Sequence, residues 1–380
     1  MHKKAFVFVF FLTLVALTYA TNFDHFVYYV DLDTMYESND PYIKTLGSLL
    51  KRWETGLSKY VENLDVSTLV LPPDDELTLN ILQNISPYAY IDPAEKFETA
   101  LEVFPDSVVI NSLFLFFNFQ YWQNSRDPAA ARIIFEYTQK IENLVGEPTP
   151  LTVYVRSQVL FKSNIYGDPE KAYNDLKEIY FKYDHDKKII ETLVEFSFLL
   201  NDTEMIEELY NTYLRIGGNN PETLFFFSKM FYQLGREEES VKLANLAIEN
   251  SKSAILNSQV YEFLGDIEEN YERKIDFYRK SLNSDKENGR LMSKIGMAYY
   301  NWDNKENSEL ARYFLNAAES RGYITEDSQT ALKELRRNVV LNILFKYVIP
   351  IILAVILALW LLSYFSKKRK QKESEWIYKD

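Results

Sequence analysis

Few side chains in this sequence can do chemistry. There are three histidines, His2, His25 and His185, and no cysteine, so thiol nucleophiles are excluded and most zinc sets with them. Neither His25 nor His185 has a second histidine at helical spacing. Gly217-Gly218-Asn219-Asn220 lacks the lysine and the spacing of a phosphate-cradling loop and reads as a turn. With 55 acidic residues any two can be paired on paper, and their ordinary place is the solvated face of a surface helix. No cofactor is implied, and no catalytic or metal set. What remains is a surface that binds, and the question becomes which elements build it.

The element that organises the chain is 221–252, PETLFFFSKMFYQLGREEESVKLANLAIENSK, which predicts two helices joined at Leu234-Gly235-Arg236. Leu224, Phe227, Ser228 and Phe231 fall on one face of the first helix, and Val241, Ala244, Ala247 and Ile248 on one face of the second. Gly235 can take the left-handed conformation that stops a helix, and Glu237, Glu238 and Glu239 suit the positive start of the next. Asp92-Pro93, Asp127-Pro128 and Asp168-Pro169 each place an N-cap aspartate before a first-turn proline. They predict helices over 94–104, 129–144 and 170–183. A further helix is expected from Asn39-Asp40-Pro41 to about Leu64, and another over 76–85 after Leu71-Pro72-Pro73-Asp74. Phe26-Val27-Tyr28-Tyr29-Val30 is too short a run to separate strand from helix, and 22–40 stays unassigned. Leu113 to Trp122 is apolar nearly all round, as in a helix buried between neighbours; an aromatic-lined peptide or lipid pocket is the alternative.

Ala172, Ile206, Ser240 and Lys274 recur every 34 residues and Ala311 follows after 37, with Leu176, Tyr210, Ala244, Tyr278 and Leu315 four residues beyond each. This interval is the size of a helical hairpin. With Ile295, Gly296, Tyr299, Ala311, Leu315 and Ala318 in one copy, Leu264-Gly265, Tyr278 and Ser281 in another, and Ala100 and Phe104 in a third, 90–320 resembles the tetratricopeptide repeat family. No copy has the family's tryptophan, Ser228 replaces its glycine, and Lys274 its alanine. The resemblance implies an all-α fold, an α-solenoid of helix-turn-helix repeats, whose first helices line a groove for peptides or partner proteins. Carrying the family's groove positions over gives Glu222, Phe225, Lys229, Tyr232 and Gln233 in one repeat and Arg290, Ser293, Met297, Tyr300 and Asn301 in another, a mixed charged and aromatic surface suited to an extended peptide.

The ends add a membrane. Residues 1–20 have two lysines, an apolar run and small residues at Thr18 and Ala20, the order of a secretory signal peptide cleaved after Ala20, with an uncleaved anchor as the alternative. Residues 347–365 are 19 without a charge, followed by Lys367-Lys368-Arg369-Lys370, which predicts one transmembrane helix within 339–365. The basic tail 366–380 is then cytoplasmic and 21–338 extracytoplasmic. The region 21–89 is expected to be mostly helical, and 321–338 to be a helix running stiffly into the membrane.

Leaving out the tail, Lys3 and Lys4, there are 34 basic and 52 acidic residues, a net charge of −18 that argues against nucleic acid and anionic lipid surfaces as partners. An exported chain without cysteine points to a prokaryotic envelope, where Asn84-Ile85-Ser86 and Asn201-Asp202-Thr203 carry no glycan. The expectation is a non-catalytic, membrane-anchored interaction scaffold for a protein or peptide of the envelope. The alternatives are self-assembly into a homo-oligomer, an enzyme with its site in 22–90, and a short cytoplasmic docking peptide at Trp376-Ile377-Tyr378.

Overall fold

The computed structural model describes residues 23–377 apart from 63, 65, 67, 68, 87–90, 184, 185 and 303–305. The proposed signal peptide 1–20 lies outside the described residues, as do the side chains of 369–377 in the basic tail. Among the described residues there is no strand. After a 3-10 turn, Phe23–Tyr28, come α1 (Leu32–Tyr36), α2 (Pro41–Thr55), a 3-10 turn Ser58–Tyr60, α3 (Pro73–Asn84), α4 (Ile91–Val103), α5 (Val108–Ser125), α6 (Pro128–Val145), α7 (Pro150–Lys162), α8 (Pro169–Lys182), α9 (Lys187–Leu200), α10 (Ile206–Arg215) and α11 (Pro221–Gln233). There follow α12 (Glu237–Asn250), α13 (Ala254–Ile267), α14 (Tyr271–Leu282), α15 (Gly289–Trp302), α16 (Ser308–Ser320), α17 (Glu326–Ile343), a π-helical turn Leu344–Val348 and α18 (Ile349–Ile377). From α5 onward consecutive helices form hairpins, α5 with α6, α7 with α8, α9 with α10, α13 with α14, and α15 with α16. This is the helical-repeat architecture expected. The chain divides into two compact units, up to Leu243 and from Ala244, so the boundary falls inside α12.

The local signals act as the chemistry requires. Asp127 accepts the Ala129 N–H at 3.0 Å and Asp168 the Lys171 N–H at 3.1 Å, each ahead of a first-turn proline. Gly235, at φ +75°, turns the chain between α11 and α12. Elsewhere the boundaries move. The helix expected to reach Leu64 stops at Thr55 because Gly56 takes φ +71° and returns its N–H to the Arg52 carbonyl. Helix α4 starts at Ile91, so Asp92 is inside its first turn and not at its cap. Phe23–Tyr28, in the unassigned stretch, is a 3-10 turn.

Burial follows the repeat pattern with two corrections. Leu224, Phe227, Ser228 and Phe231 are buried, as are Ala172, Ser240 and Ala311. The inner face of α12 is instead Ser240, Leu243, Ala244 and Ala247, with Val241 37% exposed and Ile248 only half-buried, about one residue round from the expected stripe. In α14 the inward positions are Ile275, Tyr278 and Ser281, which leaves Lys274 at the margin. Helix α5 is buried nearly all round, and Asn118 tolerates this by donating its amide to the Phe114 carbonyl at 2.9 Å.

In the second unit Ala331, Leu332 and Leu335 of α17 join the core made by α14, α15 and α16. The same helix continues through the π turn, so Glu326–Lys368 is the one helix among the described residues long and apolar enough to cross a membrane, and its most apolar stretch is not buried against the protein.

Candidate partner-binding surface

In the first unit the first helices of successive hairpins, α7, α9 and α11, pack side by side. Gln158 of α7 donates to the Thr192 hydroxyl of α9 at 3.1 Å, and Lys162 pairs with Glu195 at 3.0 Å. Between α9 and α11 the contact is aromatic, with Phe198 and Phe226 tilted against each other at 5.1 Å. Lys229 stands over this cluster, its ammonium 4.0 Å from the Phe225 ring, 4.9 Å from Phe198 and 5.9 Å from Phe226.

No carboxylate among the described residues answers that charge. Burial alone pushes the Lys229 ammonium below its usual pKa, with no neighbour raising it again. The faces of the three rings supply part of what water would, but the N–H donors of an ammonium are not met by π-clouds alone. The arrangement can accept one carboxylate and flank it with apolar contacts.

Of the other positions expected in this repeat, Glu222 and Gln233 are exposed and Tyr232 is 38% exposed. Phe225 differs from the surface placement expected of it. It is 3% exposed, with its ring under the Lys229 ammonium. Phe198 and Glu195 were missed, although stepping Tyr232 and Lys229 back by the 34-residue repeat lands on them.

The positions in the second unit are already engaged. Arg290 forks onto Glu262, with a 2.6 Å bond to its Oε2, while Lys294 bridges Glu262 at 2.7 Å and Asp266 at 2.6 Å. The Tyr278 hydroxyl donates to the same Asp266 at 2.8 Å. Ser293 is buried, again unlike the expectation, because it falls on the face of α15 that carries Met292 and Gly296 into the core. Met297 packs against the core, Tyr300 donates to Glu334 of α17 at 2.6 Å, and Asn301 is exposed. Arg290, Met297 and Tyr300 therefore hold the second unit together, and only the first-unit set presents an unanswered charge.

Among the described residues no group of three or more histidines and carboxylates is arranged to hold a metal ion.

No family model and no curated protein matches the chain. Solved structures do. A tetratricopeptide repeat protein from Parabacteroides merdae is 16% identical, over 69% of this chain and 98% of its own, with a TM-score of 0.43. MamA is 15% identical over 41% of this chain and 89% of its own, with a TM-score of 0.37. A chain of the APC/C hetero-tetramer Cut9-Hcn1 is 14% identical over 81% and 65%, with a TM-score of 0.43. The hairpin architecture described above stands on this chain's own helices.

Proposed function

We propose that the chain is a non-catalytic, single-pass membrane scaffold that binds a segment of another protein across α9 and α11, where Lys229 receives a carboxylate among Phe198, Phe225 and Phe226. The observation that carries this reading is a partly buried ammonium, over three rings, with no anion of its own among the described residues. An unpaired desolvated charge costs stability, and a site that keeps one is waiting for the group that neutralises it. The body as a whole is strongly acidic, so a polyanion is repelled, and the fitting ligand is a mainly apolar segment with a single carboxylate.

The membrane helix confines such a scaffold to two dimensions and raises its effective concentration toward membrane partners. In this reading 21–338 is extracytoplasmic, 366–380 is cytoplasmic, and the partner belongs to the envelope. The charge pattern around 347–365 supports that orientation.

Fluorescence anisotropy on the full chain in detergent tests the site, with apolar hexapeptides ending either in a free carboxylate or in an amide. The acid is expected to bind, and the amide, or the acid on Lys229→Gln, to bind roughly 10- to 100-fold more weakly, as loss of a charge-assisted hydrogen bond predicts. Equal binding of acid and amide, or an indifferent K229Q, removes Lys229 from the account.

A further inference from the structure

A second surface of the first unit holds an occupant already. The 3-10 turn Phe23–Tyr28 packs on α2, α5 and α7. Phe26 is 1% exposed, its ring edge-on to Phe116 of α5 at 6.4 Å, and Val27 beside it is 0% exposed. Tyr28 meets the Tyr183 ring at 5.7 Å. The chain then passes Asp186, the N-cap of α9, and donates two successive backbone N–H groups, of Val30 and Asp31, to Asp186 Oδ2 at 3.0 Å each.

The division of labour at Asp186 is informative. Its Oδ1 does the capping, accepting the N–H groups of Lys188 at 2.8 Å and Ile189 at 3.3 Å. The other oxygen accepts, among the described residues, from a segment 155 to 156 residues away in sequence. A cap needs one oxygen. The second reads a peptide backbone, and since every residue but proline offers an N–H, this recognition does not depend on side chains. The specificity comes from the adjacent aromatic and aliphatic seats that Phe26 and Val27 fill. Lacking a regular element of its own beyond the 3-10 turn, residues 23–31 lie on the unit as a bound peptide does.

We propose that this cleft, made by α2, α5, α7 and the cap of α9, is a peptide site, that residues 23–31 are its resident occupant, and that an extended segment of a partner protein carrying an aromatic–aliphatic pair takes the same seat by displacing them. The site is separate from Lys229 and does not depend on the reading given to that lysine. A resident on the same chain competes at high effective concentration, so the intact protein holds the site closed to weak ligands.

The probe is a fluorescent peptide of residues 23–32, FDHFVYYVDL, added to the full chain in detergent. Phe26→Ser with Val27→Ser dislodges the resident and leaves the cleft intact, so the double variant is expected to bind the probe roughly 100-fold more tightly than the wild type. Adding Asp186→Ala is expected to remove at least tenfold of that gain. Equal binding by wild type and a double variant of unchanged helicity overturns the proposal. Should the double variant lose helicity, the wild type decides: the same peptide with a photoreactive benzoylphenylalanine in place of Phe26, at high concentration, must crosslink to α5 around Phe116. Crosslinks elsewhere, or none, overturn the proposal as well.

Discussion

Lys229 carries a desolvation cost that the proposed carboxylate would relieve. Its ammonium has a lower pKa in the folded chain than in the unfolded one, from desolvation. Between the two values the unfolded chain binds more protons, so this group makes stability rise with pH through that alkaline window, and below it the cost is constant. Lys229→Met is therefore expected to keep or raise stability at neutral pH, by up to about 1 kcal/mol, and to flatten the alkaline rise. Thermal melts of both chains at neutral and alkaline pH measure this; a loss larger than about 1 kcal/mol would show that the cation–π contacts outweigh the desolvation. Other residues explain why divergent repeats still close. A Cβ on Gly296 would lie 2.7 Å from Leu315 Cγ, and one on Gly265 2.5 Å from the Tyr278 ring, so both glycines admit the second helix of their hairpin. Ser228, at the equivalent place in α11, bonds instead to the Ser240 carbonyl at 2.8 Å. The substitution that weakens the resemblance in sequence keeps the helix pair together by different means.

At the scale of elements, α12 distinguishes the observed packing from the periodicity. Its inner face carries Ala244 and Ala247, while Val241 points outward. Ala247→Leu should cost about 1–3 kcal/mol by overpacking, and Val241→Asp less than about 0.5 kcal/mol. Chemical denaturation of the two variants checks the order, and the reverse order would restore the stripe through Val241 and Ile248. Hairpins, the Asp127-Pro128 and Asp168-Pro169 starts and the Gly235 stop were legible because each is a local signal, whereas Asp92 was misplaced at a cap and the stop at Gly56 was missed. Helix α5 was legible as buried because apolar residues on every side leave no face for solvent. What could not be read were contacts made at a distance. Nothing near Phe26 says that Asp186 will hold the residues after it, and the run is too short to separate a strand from a 3-10 turn. The candidate surface was half legible. Lys229 was named from its repeat position, but that Arg290 is neutralised by Glu262 depends on a neighbouring hairpin, and that Phe225 lies beneath a lysine depends on rotamers.

At the scale of the molecule, a helical array and one apolar helix are joined without a flexible stalk. The first half of α17 is core, and its continuation through Leu344–Val348 becomes the apolar span, so the second unit is coupled to that helix by packing. The proposed surface rests on an acidic composition, which disfavours nucleic acid, and on a lysine beside phenylalanine rings that no carboxylate among the described residues answers. The central claim is that a protein partner binds across α9 and α11. It is tested most directly by placing a photoreactive amino acid at Tyr232 in the full chain, crosslinking in the native membrane, and comparing the result with the same chain carrying Lys229→Glu. The account predicts a discrete heteromeric adduct that the K229E chain loses while its helicity is unchanged. An adduct that persists in K229E, or adducts only between copies of this chain, would contradict it.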